Sequence, residues 1–193
     1  AVKNIKSGQR VYIHAVSMAP QKLIQALTNR HEELEDVEIV HLHTEGEAPY
    51  ANPQYRRSFH VNSLFIGANV RGTLAAGNGS YTPTFLSEIP YLFRRNYLPL
   101  DFALLQVSPP DQHGYCSLGT SVDASLAAAQ SAKHVIAQVN PQVPRTHGDG
   151  LIHVNAFDYL VETDEPIATV AQHVPSEIEM AIGKNVVSLI DDG

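Results

Sequence analysis

The sequence contains two six-residue runs that are almost continuously apolar, FALLQV (Phe102–Val107) and HVIAQV (His134–Val139). A strand with one face in water alternates apolar and polar residues, whereas an unbroken apolar run is typical of a strand buried on both faces. Parallel sheets bury both faces under helices. These two runs therefore favour an α/β fold in which helices cover both faces of the sheet.

Strand and helix patterns alternate along the rest of the chain. Residues 11–14 (VYIH) and 37–42 predict strands, and the helix between them, opened by Pro20, has an apolar stripe that includes Leu23 and Leu27. Because a β-α-β order usually builds parallel strands with a right-handed crossover, we expect an open, mostly parallel, doubly wound sheet. The remaining predicted elements are strands at residues 63–67, 81–85 and 157–161 and helices at 69–76, 87–95 and 122–132.

Residue types that cap helices mark several of the predicted ends. Gly8 and Gly77 each follow a short helical segment and suit the left-handed residue that closes a helix. Ser87 is the predicted N-cap of the helix at residues 87–95. Ser176 and Glu179 have the spacing of a capping box for a closing helix. That helix has an apolar stripe at Ile178, Ile182, Val186, Leu189 and Ile190.

Composition and charge exclude several classes of protein. With 193 residues, 44% of them hydrophobic and 17% charged, the chain can bury a domain-sized core and is too apolar to be disordered. A net charge of −7 without a cluster of lysine or arginine argues against nucleic acid and anionic membrane surfaces as partners. The apolar runs are too short to span a membrane, and a lone cysteine, Cys116, is typical of a reducing compartment. We therefore expect a cytoplasmic protein that binds neither nucleic acid nor membranes.

One strand end carries an alternating series of residues of metal-binding type. In an extended chain this series would present two imidazoles and two carboxylates on one face, which could bind a metal ion. A strand that leaves the sheet into an acidic loop explains the same residues without a metal, and we favour that interpretation. The members of the series are His41, His43, Glu45 and Glu47.

Two other groups of residues suggest chemistry, but their spacing is weak. His147, Asp149 and His153 do not have the spacing of a known zinc site. Cys116 is three residues from His113, a separation that rarely aligns a catalytic Cys-His pair. We interpret Cys116 as a small buried thiol. We predict no metal site in this chain.

Four loops rich in glycine, proline, serine and histidine follow predicted strands. Ligands of open α/β sheets bind at the carboxyl ends of the strands, so four such loops at one edge favour a small-molecule cleft. The loop at residues 77–83 contains GNGSY but lacks the second glycine of a hydrolase nucleophile elbow. The four loops are residues 17–20, 77–83, 108–114 and 140–150.

The sequence resembles the amino-terminal half of the acetyl-CoA hydrolase/transferase family. The resemblance is carried by GNGSYTPTFLSEIPYLF (77–93), LLQVSPPDQHGYCSLGTSVD (104–123) and AQVNPQVPRTHGDGLIHV (137–154). It extends to IKSGQRVYIHAVSMAPQKLIQAL (5–27) and HVNSLFIGANVR (60–71), and so covers nearly the whole chain. Within the family, the chain is similar to 4-hydroxybutyrate and butyrate coenzyme A-transferases.

The resemblance implies transfer of coenzyme A between a short-chain acyl-CoA (4-hydroxybutyryl-, butyryl- or acetyl-CoA) and a free carboxylate such as acetate. A glutamate would attack the thioester, forming an acyl-glutamyl anhydride and then a glutamyl-CoA thioester. In the family, this glutamate and the glycine-rich CoA-binding loop lie in the carboxyl-terminal half. The resemblance therefore implies no catalytic residue in this chain, no permanently bound cofactor, and a coenzyme A thioester as substrate. It also implies a homo-oligomer, because the members of the family form them.

For this half, the resemblance implies one substrate-binding wall of an active-site cleft. The candidate substrate-binding residues follow the first strand or lie in the other matched loops. They are Ser17, Met18, Gly77, Asn78, Ser80, Tyr81, Thr82, His113 and His147. Many relatives have arginine and aspartate just before the position of Tyr81, where this chain has uncharged residues, so the acyl group does not follow from the resemblance.

An internal repeat agrees with the expectation of a half. The pattern Val-x-x-Ile-x-x-Gly at residues 2–8 recurs at residues 187–193, and the first copy leads into a strand. We therefore expect an α/β domain at residues 1–180 and a closing helix at 181–193 that leads to a carboxyl-terminal half, on the same polypeptide or on a companion chain. Two alternatives stay open, an acyl-CoA hydrolase with the same machinery and a non-catalytic binding or assembly domain.

Overall fold

Strands and helices alternate through residues 1–191, the part of the chain that this computed structural model describes. The strands are β1 (Arg10–Ile13), β2 (Val37–His41), β3 (Phe59–Ser63), β4 (Gly79–Tyr81), β5 (Phe102–Val107), β6 (Tyr115–Ser117), β7 (His134–Val139), β8 (Leu151–His153) and β9 (Tyr159–Glu162). The α-helices are α1 (Gln21–Thr28), α2 (Ala68–Ala75), α3 (Ile89–Arg94), α4 (Ser125–Ser131) and α5 (Glu177–Val187).

Seven of these strands form one sheet in the order β4-β3-β2-β1-β5-β7-β9. Every pair of neighbours in it runs parallel. From β1 the chain adds strands toward β4 on one side, and it then returns to the other side of β1 with β5, β7 and β9. The order therefore reverses between β1 and β5, which makes the carboxyl ends of these two strands the switch point where open α/β sheets bind ligands. The prediction of an open, parallel, doubly wound sheet is confirmed.

Helices cover both faces of the sheet because successive side chains of the central strands point to opposite sides. On one face, Val11 and Leu104 belong to a buried cluster with apolar residues of α1 and α2. On the other face, Tyr12 and Leu105 belong to a cluster with α3 and α4, and the Tyr12 ring lies edge-on to Phe93 at 5.5 Å. All six residues of β5 are buried, as its apolar run predicts.

Two strands lie earlier in the sequence than predicted. We expected strands at residues 63–67 and 81–85, but β3 and β4 end at the first residue of each range, so both predictions are wrong. A search for continuous apolar runs misses β3, because His60, Asn62 and Ser63 interrupt the apolar residues of this buried strand. Asn62 of β3 is buried nonetheless, and its amide donates a hydrogen bond to Glu38 Oε1 at 2.8 Å.

The sequence patterns also miss an antiparallel ribbon of two short strands. β6 pairs with β8, placing Cys116 opposite Ile152. The pairing continues into the next residue, where the Leu118 N–H donates to Gly150 O at 2.8 Å. Each strand has three residues, too few to show a periodic pattern. The ribbon joins the chain segment that follows β5 to the one that follows β7. The sequence patterns predict these two segments only as separate loops.

The helix ends agree with the predicted caps in part. Gly77 follows the end of α2 and has a φ of +74°, the left-handed region that glycine adopts without strain, as predicted. Gly8 also has a φ of +74°, but the first helical segment is a 3₁₀ turn that ends at Asn4, so the prediction that Gly8 closes it is wrong. Ser87 is not an N-cap, because it lies in a 3₁₀ turn that precedes α3. Helix α4 begins at Ser125 rather than at residue 122.

Helix α5 has the predicted capping box. Ser176 Oγ accepts a hydrogen bond from the Glu179 N–H at 3.3 Å, and Glu179 Oε2 accepts one from the Ser176 N–H at 2.7 Å. The apolar stripe of the helix is not packed against the sheet, since Ile178 and Ile182 are 73% and 56% exposed. The sequence therefore predicts the start of this helix, but its apolar residues remain uncovered in this chain.

Two further expectations concern the organisation of the chain. Helix α5 begins at Glu177, so the expected boundary between residues 180 and 181 falls inside it, and the division into a domain and a closing helix stays a prediction. Gly193, the last residue of the predicted repeat, lies outside the described residues. Within those residues, no helix is both long enough and apolar enough to cross a membrane.

Candidate functional site

The loop after β1 lies at the switch point of the sheet and contains a strained residue. Val16 has a φ of +54°, a left-handed conformation that costs a β-branched residue on the order of 1–3 kcal/mol. Two backbone hydrogen bonds hold it there, from the Val16 N–H to His43 O at 2.8 Å and from the Glu45 N–H to Val16 O at 3.0 Å. Because backbone strain of this kind is concentrated at functional sites, we take this loop as the centre of the candidate site.

His14, the residue that follows β1, is fully buried and is held in one neutral tautomer. Its Nδ1 accepts a hydrogen bond from the Gln106 N–H at 3.2 Å. Its Nε2 therefore carries the proton, which it donates to Ser121 O at 2.6 Å. Burial lowers the pKa of His14 and keeps the ring neutral at pH 7. The imidazole thus connects β5 to the loop after β6 across the switch point.

Two hydroxyl groups from different loops meet at this edge. Ser17 Oγ lies 2.9 Å from Thr120 Oγ1, and Thr120 is exposed. Met18, the next residue, is fully buried and packs against Gly119. A Cβ atom on Gly119 would lie 2.4 Å from Met18 Sδ, so the two loops fit only because residue 119 is glycine. Met18 therefore packs one loop against the other in this chain, and its role in binding substrate stays a prediction.

Three buried side-chain amides form a polar layer where β5 and β7 end. Gln106, Gln138 and Asn140 are each at most 3% exposed. Asn140 Nδ2 donates to Gln106 Oε1 at 3.1 Å and to Glu165 O at 2.8 Å, which connects the layer to the segment after β9. Buried amides with satisfied hydrogen bonds fix the relative positions of the elements that carry them. The layer therefore stiffens the carboxyl edge next to the switch point.

A cavity of about 250 Å³ opens at the carboxyl ends of β2 and β3. His43, Phe65 and Arg71 contribute to its wall, and the centroids of the His43 and Phe65 rings lie 5.3 Å apart. Asn69 holds the two loops of the cavity together, because its Nδ2 donates to Thr44 O at 2.9 Å. The combination of an aromatic ring with polar side chains is suited to a small organic ligand.

The residues of the alternating histidine and glutamate series, which the metal-binding alternative would bring together, separate rather than converge. His41 is fully buried; its Nδ1 donates to Leu42 O, and burial lowers the pKa of the imidazole to about 4. His43, by contrast, is half-buried at the cavity described above. Among residues 1–191, no three His, Cys, Asp or Glu side chains form a group that could hold a metal ion.

The segment at residues 77–83 does not lie wholly at the carboxyl edge. Gly77 and Asn78 precede β4, which places them at its amino end. The expectation that this whole loop follows a strand is wrong, because Gly77 and Asn78 connect the end of α2 to the amino end of β4. These two predicted substrate-binding residues therefore lie at the amino edge of the sheet, whereas the switch point lies at the carboxyl edge.

The other predicted residues of this segment belong to β4 or follow it. Ser80 Oγ lies 2.8 Å from His60 Nε2, and the side chain of Tyr81 is 50% exposed. Thr82 follows β4, and its Oγ1 donates to Asn62 Oδ1 at 2.9 Å. β4 lies three strands from β1 in the sheet order, a distance of about 14 Å at the usual spacing of strands. The structure therefore does not bring Thr82 next to the loop after β1.

His113 and His147 are both exposed, and a salt bridge connects the loops that contain them. Arg145 donates to Asp111 Oδ2 at 2.5 Å and to Tyr115 O at 2.9 Å. Asp111 Oδ1 accepts the His113 N–H at 2.9 Å, and the backbone N–H groups, that of Tyr115 first, lower the pKa of the Asp111 carboxyl. The two histidines therefore lie on loops that the β6–β8 ribbon and this salt bridge fix together.

The Cys-His alternative for Cys116 is wrong. Cys116 is fully buried in β6, whereas His113 is exposed in the preceding turn. Burial raises the pKa of the thiol to about 11, which opposes formation of a nucleophilic thiolate. The prediction of a small buried thiol is confirmed.

His14, Thr120 and the layer of three amides are not among the residues that the sequence predicts for the site. A signal for the amides existed, since Gln106 and Gln138 each interrupt an apolar run at its fifth position. No comparable signal marks the other two residues. Their contacts, His14 with Ser121 and Thr120 with Ser17, join positions 107 and 103 residues apart.

Comparison with known proteins gives one consistent result. A model of the acetyl-CoA hydrolase/transferase N-terminal domain matches residues 1–171. The 4-hydroxybutyrate coenzyme A transferase of Clostridium kluyveri is 43% identical over 194 residues, which cover 100% of this chain and 45% of that protein. The succinyl-CoA:acetate/propanoyl-CoA:succinate CoA transferase of Fasciola hepatica is 42% identical over 192 residues, which cover 98% of this chain and 40% of that protein. The chain thus spans about half the length of the curated relatives it matches.

Solved structures agree with these sequence matches. A 4-hydroxybutyrate CoA-transferase from Porphyromonas gingivalis superposes with a TM-score of 0.83 at 36% identity, covering 100% of this chain and 44% of that chain. RipA from Yersinia pestis superposes with a TM-score of 0.90 at 25% identity, covering 100% of this chain and 47% of that chain. The whole described fold is therefore similar to one half of these proteins.

Proposed function

Because the chain belongs to the acetyl-CoA hydrolase/transferase family, as its amino-terminal domain, we propose that it is the amino-terminal half of a coenzyme A-transferase. The enzyme moves coenzyme A between a short-chain acyl-CoA (4-hydroxybutyryl-, butyryl- or acetyl-CoA) and a free carboxylate such as acetate. One observation carries the proposal. Relatives named CoA transferases match at least 98% of this chain, while the chain spans less than half of their length.

The proposed reaction uses a glutamate of a carboxyl-terminal half, outside these residues. Its carboxylate attacks the thioester carbonyl, the C–S bond breaks, and coenzyme A leaves as a thiolate with the electron pair. The thiolate then attacks the glutamyl carbonyl of the anhydride, which releases the first carboxylate and leaves a glutamyl-CoA thioester. The acceptor carboxylate reverses these two steps and receives coenzyme A. No permanently bound cofactor takes part, because coenzyme A enters and leaves as part of the substrates.

In this proposal, the chain supplies one wall of the cleft at the carboxyl edge of its sheet. Ser17 lies at the switch point and Thr82 at the end of β4. Tyr81 is exposed beside Thr82, and His113 and His147 lie on the connected loops after β5 and β7. The pattern of polar loops at one edge supports a substrate-binding role. The placement of Gly77 and Asn78 at the opposite end of β4 argues against direct contact from these two residues.

An acyl-CoA hydrolase is the second candidate, since the family description includes both activities. The two differ in the last step, where water rather than a carboxylate attacks the glutamyl-CoA thioester. A third candidate is a non-catalytic binding or assembly domain, which needs no glutamate-bearing half. The names of the relatives favour the transferase.

The assay that tests the proposal uses this chain joined to, or mixed with, a carboxyl-terminal half. Butyryl-CoA or 4-hydroxybutyryl-CoA is incubated with labelled acetate, and labelled acetyl-CoA and free coenzyme A are both measured. We expect labelled acetyl-CoA to form faster than free coenzyme A. Faster release of free coenzyme A would contradict the transferase and favour the hydrolase. If neither product forms, the non-catalytic alternative is favoured.

The covalent intermediate offers a separate test. Borohydride reduces a glutamyl-CoA thioester to an alcohol, so treatment of the enzyme with acyl-CoA and borohydride should remove activity. Peptide mass mapping should find the modification in the carboxyl-terminal half and not in residues 1–193. Failure to trap the intermediate in an active enzyme would contradict the glutamate mechanism.

The proposal includes the setting in which the enzyme works. We propose a cytoplasmic protein, on the basis of a lone buried cysteine that suits a reducing compartment. We propose a homo-oligomer on the basis of the family resemblance alone. The exposed apolar residues of α5 are suited to contact with the carboxyl-terminal half. Light scattering of the purified protein and fractionation of its source cells measure these two properties directly.

A further inference from the structure

The loop after β6 is held rigidly at the switch point by interactions from three sides. The Gly119 N–H donates to Ser117 Oγ at 3.1 Å, and Gly119 O accepts the Thr146 hydroxyl at 2.8 Å. Ser121 is the residue after Thr120, and its carbonyl oxygen accepts a hydrogen bond from His14 Nε2–H at 2.6 Å. The backbone on both sides of Thr120 is therefore fixed by buried or half-buried groups, and Thr120 itself is exposed.

This rigid loop presents its hydroxyl next to that of Ser17. With Ser17 Oγ and Thr120 Oγ1 2.9 Å apart, one hydroxyl donates to the other. The second hydroxyl then retains a hydrogen for which residues 1–191 supply no acceptor. The result is a hydroxyl donor at a fixed place on the ligand-binding edge, because the hydrogen bond between Ser17 and Thr120 orients it.

We propose that the Ser17–Thr120 hydroxyl pair binds the acyl oxygen of the substrate, and this inference rests on the proposed CoA-transferase function. The oxygen is the thioester carbonyl of the acyl-CoA in the first half-reaction and a carboxylate oxygen of the acceptor in the second. Both are oxygen acceptors on the substrate carbon that becomes joined to the glutamate, and the two substrates occupy this position in turn, so one donor serves both. Thr120 is thereby a substrate-positioning residue in addition to Ser17.

Preorganisation is the physical reason for this assignment. A hydroxyl on a mobile loop loses most of its binding free energy to ordering, whereas a donor on a fixed loop does not. His14 contributes to that order without touching the substrate, because its neutral ring is occupied at both nitrogens. On the other side, the two backbone hydrogen bonds of Val16, with His43 O and the Glu45 N–H, fix the residue that precedes Ser17.

The test compares Thr120→Val and Ser17→Ala with Thr120→Ser in the complete enzyme. Valine keeps the shape of threonine and removes the hydroxyl, and serine restores it. Thr163→Val is the matched control, because Thr163 follows β9 at the same sheet edge and its hydroxyl only contacts Val139 O, at 3.5 Å. The values of kcat/KM for acyl-CoA and for the carboxylate acceptor are measured separately.

We expect Thr120→Val to lower both kcat/KM values by about fivefold, the effect of one neutral hydrogen bond. Thr120→Ser should restore at least half of the loss, Thr163→Val should change neither value, and the double variant with Ser17→Ala should lose less than the product of the single effects. A loss confined to one substrate, or an equal loss in Thr163→Val, would overturn the inference. If the unmodified enzyme transfers no coenzyme A, the proposed function itself has failed.

Unfolding experiments distinguish a hydroxyl that binds substrate from one that only stabilises the loops. A hydroxyl that acts only on the substrate leaves the urea midpoint of Thr120→Val within error of the Thr163→Val control. A lowered midpoint that accompanies the kinetic loss, and that Thr120→Ser corrects equally, would show that the pair stabilises the loops and would contradict substrate binding.

Discussion

Gln106 and Gln138 are directly paired on adjacent parallel strands, and the side-chain amide of Gln138 donates a hydrogen bond to Gln106 Oε1 at 2.7 Å. This oxygen also accepts a bond from Asn140. One buried carbonyl oxygen therefore satisfies donors from two positions near the switch point. The arrangement explains why each of two otherwise apolar strands contains a glutamine.

The first prediction is that Gln106→Leu destabilises the protein more than Gln138→Leu. The first change leaves one N–H of Gln138 and one N–H of Asn140 without an acceptor, although Asn140 still donates to Glu165 O. The second change keeps the Asn140–Gln106 bond and removes an acceptor only from the Lys22 N–H. With each unsatisfied buried group costing 1–3 kcal/mol, we expect about 3 kcal/mol for Gln106→Leu and about half of that for Gln138→Leu. Urea unfolding at pH 7 measures both values.

The double variant provides the control for this first prediction. Replacing both glutamines by leucine removes a donor and its acceptor together, so the double change should cost less than the sum of the single changes. Strict additivity would mean that the two side chains do not interact in solution.

Local features of this fold were predictable from the sequence, and the reasons are physical. The apolar run of β5 reflects burial on both faces, and Gly8 and Gly77 mark positive φ angles that other residues avoid. β3 was misplaced because a hydrogen bond between Asn62 and Glu38 satisfies a polar residue inside a buried strand. Hydrophobicity patterns contain no information about such a partner.

The candidate site was less predictable than the fold. The resemblance predicts Ser17 as a substrate-binding residue, but its partner Thr120 is 103 residues away, and only the folded chain brings the two together. The resemblance also predicts Met18, which is buried against Gly119, since the loop after β1 packs one side chain inward and leaves the other at the edge. Sequence position identified the loop, whereas the tertiary contacts determine which residue can reach a ligand.

The second prediction concerns stability at mildly acidic pH. Burial lowers the pKa of His41 from its ordinary value of 6.5 to about 4, so the unfolded chain binds a proton between these values that the folded chain does not. Stability is therefore fully present above pH 6.5 and falls as the pH decreases toward 4, by on the order of 3 kcal/mol for this residue. Burial lowers the pKa of His14 as well, which adds to the same trend.

Urea unfolding at intervals from pH 7.5 to pH 4.5 measures this dependence. His41→Gln should reduce the slope of stability against pH, whereas His147→Gln, a change at an exposed loop residue, should leave it unaltered. Equal slopes for the protein and its His41→Gln variant would show that His41 does not resist protonation.

The third prediction compares two glycines that have nearly the same backbone conformation. Gly119 and Gly8 have φ values of +69° and +74°, so alanine at either position should cost about 1 kcal/mol from backbone strain. Only at Gly119 would the new Cβ meet neighbours, 2.4 Å from Met18 Sδ and 2.8 Å from Val143 Cγ1. Gly119→Ala should therefore cost about 1–3 kcal/mol more than Gly8→Ala in urea unfolding.

A second change tests the cause of this difference. Met18→Ala removes the sulfur that the new Cβ would contact, so Gly119→Ala should cost less in the Met18→Ala background than in the unmodified protein. An identical cost in both backgrounds would show that Met18 does not pack against Gly119.

The fourth prediction is that Cys116 does not react with thiol reagents in the folded protein. The side chain is fully buried, and a thiol with a pKa of about 11 is a thiolate in about one molecule per thousand at pH 8. Thr169→Cys adds an exposed thiol to the same molecule as an internal reference. At pH 8, iodoacetamide should modify residue 169 within minutes and residue 116 only when urea unfolds the chain. Modification of both residues at similar rates in the native protein would mean that the β6–β8 ribbon opens readily, and it would contradict the burial that keeps Cys116 out of the chemistry.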